Sequence, residues 1–223
     1  MPRLVVPIAL ALCFAAWPAL AGTNVTGTLW LSPAARARVV KSGVAEMQPT
    51  AVEGVVWVES IPNAVEEKLA APKRSWFGLR KKAVPPLPSV ALREDRFAPK
   101  VLAVPTGSNV VLANRDKFYH STFSVSEAKR FDLGKTSPGR RDTLSFVRAG
   151  VVNLHCEIHP RAVGYVVVTP NRAYATPDSM GRFSIPRLPK GRYVLHAWHP
   201  RLGELTLPFD VPKRGSIALD PSF

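Results

Sequence analysis

The sequence predicts an all-β fold, on three observations. Short runs of Val, Leu, Tyr and Phe are separated by Gly, Pro and Asp turns along most of the chain. Proline is abundant, with 22 residues. No long stretch repeats apolar residues at helical spacing. Together these features are typical of β-sandwiches and barrels.

The first 21 residues predict a cleavable secretory signal. Arg3 supplies one positive charge, residues 4–21 are almost entirely apolar, and the stretch ends in the small-x-small motif Ala19-Leu20-Ala21. A membrane anchor is the less favoured alternative because the apolar run contains two prolines and is barely long enough to cross a bilayer. Lipidation at Cys13 is disfavoured by the bulky Leu12 before it. We therefore expect cleavage after about Ala21, a periplasmic location, and no transmembrane segment in the mature chain.

The strong positive charge predicts an anionic partner. The formal net charge is +14, and loss of Arg3 with the signal reduces it to +13. An acidic protein, lipid headgroups or another anionic envelope surface fits this charge, and a merely solvated basic surface remains an alternative. Nucleic acid fits poorly with export, and no nucleic-acid motif is present.

The residues before position 89 predict two strands and a linker. The strands are expected at 25–31 and 54–59, with a short helix between residues 33 and 49 as an open alternative for the intervening stretch. Residues 63–88 are basic, proline-bearing and aperiodic. We interpret this segment as a linker or mobile loop.

The rest of the chain predicts regularly spaced strands in two groups. The first group precedes Pro170, and the second is too small to enclose a core alone. The expected strands are 90–92, 100–105, 109–113, 121–125, 142–147, 151–156 and 165–169 in the first group, and 182–185, 192–198 and 204–211 in the second.

The strand ending at Cys156 carries the main functional signal. Because side chains alternate faces, Val152, Leu154 and Cys156 point to the core, whereas His155 points the other way. Cys156 is the only cysteine of the mature chain, so it is a buried inert thiol, an intermolecular link or a metal ligand. His159 follows three positions later in the next turn. His120, in a loop after another strand, can complete a set of three donors.

Two imidazoles and one thiolate in a trigonal array form the donor set of blue-copper sites. The thiolate supplies covalency, and histidine binds both Cu(I) and Cu(II). His120, Cys156 and His159 are therefore the predicted ligands of one copper ion per chain. His155 is excluded by its strand face, and Glu157 is interpreted as a rim residue. A metal-free domain with a buried thiol is the alternative.

These residues resemble the cupredoxin family, of which plastocyanin is the familiar member, and most closely the exported cupredoxin-like proteins labelled methylamine-utilisation proteins. The resemblance covers roughly residues 89–169. It implies a cupredoxin Greek-key β-sandwich, and it implies that Asn114 ties the His120 loop to the Cys156 loop by side-chain hydrogen bonds. The matching segments are Phe97-Ala98-Pro99, Gly107-Ser108, Asn114-x-Asp116, His120, Phe131-Asp132-Leu133-Gly134, and residues 150–160.

One departure from the cupredoxin pattern concerns the axial ligand. Cupredoxins usually place a weakly bound Met a few residues after the second His, and Ala162 stands at that position here. Met47 and Met180 lie outside the motif. We expect either a three-coordinate site, another axial group or water, or a site that has lost its copper.

The two ends of the mature chain resemble parts of a carboxypeptidase-regulatory-like β-sandwich. Residues 25–29 and 54–58 resemble its first strands, and residues 181–193 resemble its end. The predicted organisation is a signal at 1–21, a small sandwich formed by 22–62 and 171–223, a linker at 63–88, and the copper domain at 89–170. The copper domain would then be inserted in, or packed beside, the small sandwich.

The function expected from these features is one-electron transfer through the exposed edge of His159. Copper binding or delivery without electron transfer is one alternative, and a structural or interaction module with a vestigial site is another. No grouping typical of hydrolysis and no nucleotide loop is present, so we expect no enzyme activity. A second metal site at His196 and His199 is disfavoured, and Trp198 between them is expected in the core.

The expected partner is an acidic redox protein such as a cytochrome or a periplasmic oxidoreductase. Basic residues in the loops expected near the copper would steer such a partner towards the site. These residues are Lys135, Arg140, Arg141, Arg148 and Arg161.

Overall fold

The computed structural model describes residues 23–35, 37, 53–71, 86–213 and 215–223. The predicted signal, Met47 and most of the linker lie outside these residues. An α-helix of eight residues, α1 (Asn63–Ala70), lies among the strands. The strands are β1 (Thr23–Thr28), β2 (Val55–Val58), β3 (Ser89–Arg93), β4 (Arg96–Ala98), β5 (Val101–Pro105), β6 (Ser108–Asn114), β7 (His120–Ser126), β8 (Lys129–Thr136), β9 (Arg141–Phe146), β10 (Gly150–Cys156), β11 (Val163–Thr169), β12 (Tyr174–Ala175), β13 (Arg182–Leu188), β14 (Gly191–His199), β15 (Gly203–Val211) and β16 (Ser216–Leu219).

The strands form four sheets, and the prediction of an all-β fold is confirmed. Sheet 1 has the order β13-β1-β16 and sheet 2 the order β12-β2-β14-β15. Sheet 3 has the order β5-β11-β10-β7-β8 and sheet 4 the order β4-β3-β6-β9. Sheets 1 and 2 form one β-sandwich, which we call the terminal sandwich, and sheets 3 and 4 form the inserted sandwich.

The terminal sandwich joins both ends of the described chain. Strand β1 pairs antiparallel with β13 and parallel with β16, and β2 pairs with β12 and β14. The core between the two sheets combines Val25, Val56 and Val58 with residues from β13 to β16 such as Leu195. A Cβ added at Gly27 would lie 2.0 Å from the carbonyl oxygen of Leu219. Only glycine therefore lets β1 fit between its two neighbours.

The inserted sandwich has its own core between sheets 3 and 4. Alternate residues of β10 are buried there, namely Val152, Leu154 and Cys156, which confirms the predicted face of that strand. Phe97 of β4 closes one edge and packs directly on β11. A Cβ added at Gly164 would lie 2.6 Å from the Cβ of Phe97. This close approach holds sheet 4 against the strand that follows the predicted metal loop.

A third apolar cluster joins the two sandwiches. Val55 and Trp198 of sheet 2 pack with Val167 of sheet 3, and the Tyr165 ring meets the Trp198 ring edge-on at a centroid distance of 5.2 Å. Burial of Trp198 confirms its expected place in the core. The four sheets are thus stacked in four layers. Lys100 and Glu53, one from each sandwich, form an ion pair of 2.8 Å across the junction.

The largest difference from the sequence expectations concerns residues 63–88. The first eight of these residues form α1, so the linker prediction is wrong there. Val65 is buried in the terminal core, and Glu66 makes a 2.5 Å ion pair with Arg172. These contacts stabilise a helix whose own pattern is weakly amphipathic. Residues 72–85 are outside the described part of the chain.

Other differences are smaller. Strands β4, β8, β12 and β16 were not among the predicted strands. Residues 33–35 and 37 are helical, in agreement with the short helix considered after β1. Within the described ranges, no helix has the length and hydropathy needed to cross a bilayer.

Burial of His199 predicts a loss of stability in mild acid. Burial is the largest cause that lowers the pKa of His199 to about 4. The negative charge of Glu53 raises this pKa by less, and the positive charges of Arg201 and Lys100 lower it further. Between pH 6.5 and pH 4 the unfolded state therefore binds more protons than the folded state, and stability falls as the pH falls. We expect this residue to account for a loss of about 3 kcal/mol over that window.

The measurement is the free energy of urea unfolding, followed by tryptophan fluorescence, at pH 7, 5 and 4. His199→Asn keeps a polar side chain beside the Arg201 N–H, which donates to Nδ1 over 3.2 Å. It should lose much less stability on acidification than the parent. His155→Asn, on a partly exposed strand face, is the control and should keep the parental dependence. Parallel curves for the parent and His199→Asn would contradict the prediction.

Candidate metal centre

Two strand ends and the turn after one of them bring His120, Cys156 and His159 together. His120 is the first residue of β7, and Cys156 is the last residue of the neighbouring β10. The main chain of the two strands is tied at this point, because the Glu157 N–H donates to the Ser121 carbonyl over 2.9 Å. His159 lies in the turn after β10, where the Ala162 N–H donates to its carbonyl over 2.8 Å. The side chains of all three residues meet at the same end of the inserted sandwich.

The three donor atoms form a compact triangle. Cys156 Sγ lies 3.5 Å from His120 Nδ1 and 3.6 Å from His159 Nδ1, and the two nitrogens are 3.0 Å apart. A point equidistant from the three atoms would lie about 2.0 Å from each, close to the about 2.0–2.3 Å at which His nitrogen and Cys sulfur bind Zn²⁺, a metal of similar size. The geometry therefore fits one trigonally bound transition-metal ion.

A carboxylate stands behind each imidazole. Asp116 Oδ2 lies 2.8 Å from Nε2 of His120, and Asp95 Oδ1 lies 3.3 Å from Nε2 of His159. The Asp116 contact is a hydrogen bond that favours the His120 tautomer with the proton on Nε2, whereas Asp95 lies within ion-pair distance of His159. Both rings thus present Nδ1 towards the same point as the cysteine sulfur.

Asp116 makes three hydrogen-bond contacts at the site through its carboxylate. Its carboxylate accepts the Glu94 N–H over 2.8 Å and the Asp95 N–H over 3.4 Å, in addition to its contact with His120. Burial alone would raise the pKa of Asp116, but these hydrogen bonds and the His120 charge outweigh burial, and the pKa is lowered. The carboxylate is therefore ionised at neutral pH and acts only as an acceptor.

Apolar groups surround the donor triangle and separate it from solvent to different degrees. His120 is fully buried and Cys156 is 3% exposed, whereas the His159 side chain is 25% exposed. The Phe118 ring contacts both imidazoles, at centroid distances of 5.1 Å from His120 and 5.5 Å from His159. Ala162 is buried in the same apolar cluster as Cys156 and offers only a methyl group. His159 is consequently the accessible edge of the site.

The role implied for Asn114 is only partly correct. Its side-chain N–H groups donate to the carbonyls of Phe118 over 2.8 Å and Thr136 over 3.0 Å, and its Oδ1 accepts the Asp116 N–H over 2.9 Å. These hydrogen bonds tie the His120 loop to β8 and not to the Cys156 loop. The connection to the Cys156 loop is made by Ser121, whose hydroxyl donates to Glu157 over 3.1 Å.

The predicted basic rim is present in part. Lys135, Arg140, Arg141 and Arg161 are exposed on segments at the His120 and Cys156 ends of their strands. Arg148 is a correction, because it precedes the first residue of β10 and pairs with Glu127 in the hairpin at the opposite end. Asp95 adds negative charge beside His159.

The histidines of β14 make no metal cluster in the described chain. His196 pairs with Glu204 and stacks on Trp57, with ring centroids 5.2 Å apart. His199 is buried and accepts its hydrogen bond from the backbone. His155 packs on Phe123 on the opposite face of sheet 3. This position agrees with its exclusion from the predicted ligands.

Asp95 and Phe118 were missed at the sequence level. Asp95 lies in the turn between β3 and β4, and aspartate in a turn predicts only local hydrogen bonding. It is 64 positions from His159 in the chain, so spacing gave no signal for the contact. Phe118 could have been found from the sequence, because it lies two residues before His120. An aromatic residue so close to a predicted ligand is a candidate to shield the site from solvent.

Comparisons with known proteins gave structural matches only, since no family model and no curated protein matches the chain. A purple cupredoxin from Nitrosopumilus maritimus is 24% identical, with 37% of this chain and 99% of that chain covered and a TM-score of 0.34. A reduced amicyanin mutant is 24% identical, with 39% and 86% covered and a TM-score of 0.35. A copper-containing nitrite reductase from Thermus scotoductus SA-01 is 30% identical, with 46% and 26% covered and a TM-score of 0.38.

Removal of the Asn114 side chain is expected to destabilise the metal-free protein. Asn114→Ala leaves the carbonyls of Phe118 and Thr136 without their donor in a buried setting and should lower the free energy of unfolding by about 2 kcal/mol. Asn109→Ala, on the exposed face of the same strand, is the matched control and should change it by less than about 0.5 kcal/mol. Urea unfolding measures both variants. Equal effects would show that the hydrogen bonds of Asn114 contribute little.

Proposed function

We propose that this chain is an exported, periplasmic copper protein that carries single electrons and catalyses no reaction of its own. The observation that carries the proposal is the convergence of two imidazole Nδ1 atoms and one thiol sulfur within 3.6 Å of one another. This donor set is the one that binds copper in blue-copper electron-transfer sites. Bound copper would supply the reversible one-electron change between Cu(I) and Cu(II).

The chain's own residues provide a rigid and mostly dry site. Cys156 and His120 are placed by neighbouring strands, so their separation is set by the sheet and not by loop motion. Asp116 and Asp95 stand behind the two imidazoles, and the Phe118 ring covers both. A site that moves little when its charge changes presents a small barrier to electron transfer.

His159 is the proposed point of exchange with a partner. It is the most exposed of the three ligands, and exposed apolar side chains surround its end of the sandwich, namely Phe118, Tyr119 and Ile158. An apolar contact of this kind suits brief docking between redox proteins. The basic residues Lys135, Arg140, Arg141 and Arg161 favour an acidic partner, such as a cytochrome or a periplasmic oxidoreductase.

The first test is copper binding by the mature protein. We expect one Cu(II) per chain and an intense thiolate-to-copper absorption that is lost in Cys156→Ser, because a hydroxyl cannot replace the soft thiolate donor. His155→Ala is the matched control and should keep the absorption, since His155 lies on the other face of the strand. Copper titration followed by visible absorption and electron paramagnetic resonance measures these outcomes.

The outcomes separate the proposed function from its rivals. Binding without the thiolate band would favour a copper-binding or delivery protein, and no binding would favour a structural module with a vestigial site. A band that survives Cys156→Ser or disappears in His155→Ala would contradict the ligand assignment.

A second prediction concerns the missing thioether. We expect Ala162 at the axial position, by resemblance to the cupredoxin pattern, and a thioether there would stabilise the more electron-poor Cu(II). We therefore expect Ala162→Met to lower the reduction potential while the thiolate absorption is kept. Val163→Met, at the neighbouring position in the chain, is the control for added bulk. A potential that is unchanged or raised in Ala162→Met, with copper still bound, would show that another group fills the axial position.

A further inference from the structure

The turn between β3 and β4 has an unusual backbone at the edge of the metal centre. Glu94 and Asp95 connect the two strands, and both have positive φ angles, 53° and 57°. For residues other than glycine this conformation is unfavourable by about 1–2 kcal/mol each. A two-residue turn of this kind matches the twist of a hairpin, but its usual residues are Asn, Asp and Gly, and Glu is an uncommon choice. Contacts outside the hairpin must therefore help to hold it.

Asp116 provides those contacts. The backbone N–H groups of Glu94 and Asp95 both donate to its carboxylate, which also contacts Nε2 of His120. The turn is thus fastened to the same carboxylate that orients one of the predicted ligands. Its position relative to the metal centre is fixed by hydrogen bonds and not by the hairpin alone.

The consequence is the placement of the Asp95 side chain. Its carboxylate lies 3.3 Å from Nε2 of His159, while the Glu94 side chain is 81% exposed and pairs with the neighbouring Arg93 at 3.6 Å. His159 otherwise sits in a turn after β10 and is 25% exposed, so its ring is the least constrained of the three. His120, by contrast, is fully buried.

We propose that Asp95 is a positioning residue that holds the His159 ring with its proton on Nε2 and its Nδ1 lone pair directed at the metal centre. This inference rests on the proposed function, because His159 is treated as a ligand. Asp116 and Asp95 then perform matching roles behind the two histidines, one from within the His120 loop and one from a hairpin of sheet 4. The Asp95 side chain is more exposed than that of Asp116. Its position depends on Asp116, because the Asp116 carboxylate holds the turn that carries Asp95.

The test compares two pairs of variants at adjacent positions of the same turn. Asp95→Asn removes the charge with little change of shape, and Asp95→Gly removes the side chain at a φ angle that glycine adopts freely. Glu94→Gln and Glu94→Gly make the same changes one residue earlier and leave His159 untouched. Differences between the pairs therefore report on the Asp95 carboxylate and not on the turn.

The first readout is the tautomer of His159 in the metal-free protein, measured at pH 8 from the ¹⁵N shifts of the ring. We expect the Nε2–H form in the parent and in both Glu94 variants, and a mixture with the Nδ1–H form in both Asp95 variants. This readout requires no copper.

The second readout is copper itself. Both Asp95 variants should bind Cu(II) about 10–100-fold more weakly than the parent, the range usual for loss of a carboxylate behind a metal-bound histidine. Their reduction potential should rise, because the ring donates less electron density without the carboxylate. The Glu94 variants should stay close to the parent in both quantities.

The outcomes distinguish this inference from the proposed function. Equal tautomers and equal copper affinities in the Asp95 and Glu94 variants would overturn the role of Asp95, even if the parent binds copper with the thiolate absorption. A parent that binds no copper, with a His159 tautomer that still depends on Asp95, would overturn the proposed function and support the positioning role.

Discussion

The ionised carboxylate of Asp116 is the interaction on which the metal centre most depends. It is nearly buried, and a buried carboxylate is tolerated only where hydrogen bonds satisfy it. Asp116 meets this requirement through Glu94, Asp95 and His120, which belong to a hairpin of sheet 4 and to the first residue of β7. One side chain thus links the two sheets of the inserted sandwich at its open end. Asn114 extends this link to β8. The loop that leads to His120 therefore has few alternative conformations.

The four-layer stack explains why the site lies where it does. Trp198 and Val55 of sheet 2 pack on the outer face of sheet 3, where they meet Tyr165, and sheet 4 covers the inner face. The ends of the strands remain as the places where donors from different strands meet and also approach solvent. The centre lies at one such end, with His120 and Cys156 supplied by neighbouring strands. The terminal sandwich has no described donor at this centre and contributes by covering the sheet that holds it.

The predicted features were those encoded by local pattern. Alternation of side chains along β10 predicted the core face of Cys156 and excluded His155, because a strand has a period of two. Strand β8 was missed because only Phe131 and Leu133 are apolar in eight residues, which is a weak alternation. Helix α1 was missed because its stability comes from Val65 and from an ion pair with Arg172, 106 positions away. The contacts of Asn114 and Asp95 depend on how sheets 3 and 4 meet, which no local pattern contains.

Two features of the centre have opposite effects on the charge that it favours: its apolar surroundings and the two carboxylates behind the imidazoles. The sequence alone does not show that they lie at the same place. If copper binds as proposed, the apolar surroundings would favour the state of lower positive charge, Cu(I), and so would the absence of a thioether if Ala162 takes the axial position. Asp116 and Asp95 would act in the other direction, since a negative charge behind each imidazole strengthens its donation and favours Cu(II). The two carboxylates differ in burial, and Asp95 is about half exposed while Asp116 is nearly buried. Screening by water and salt therefore weakens the effect of Asp95 more than that of Asp116. Because Asp95 borders the edge where a partner would dock, exclusion of water by that partner would strengthen its effect on His159. In the proposed copper protein, the balance between the two copper states would consequently depend in part on residues of the β3–β4 turn and on what covers that turn.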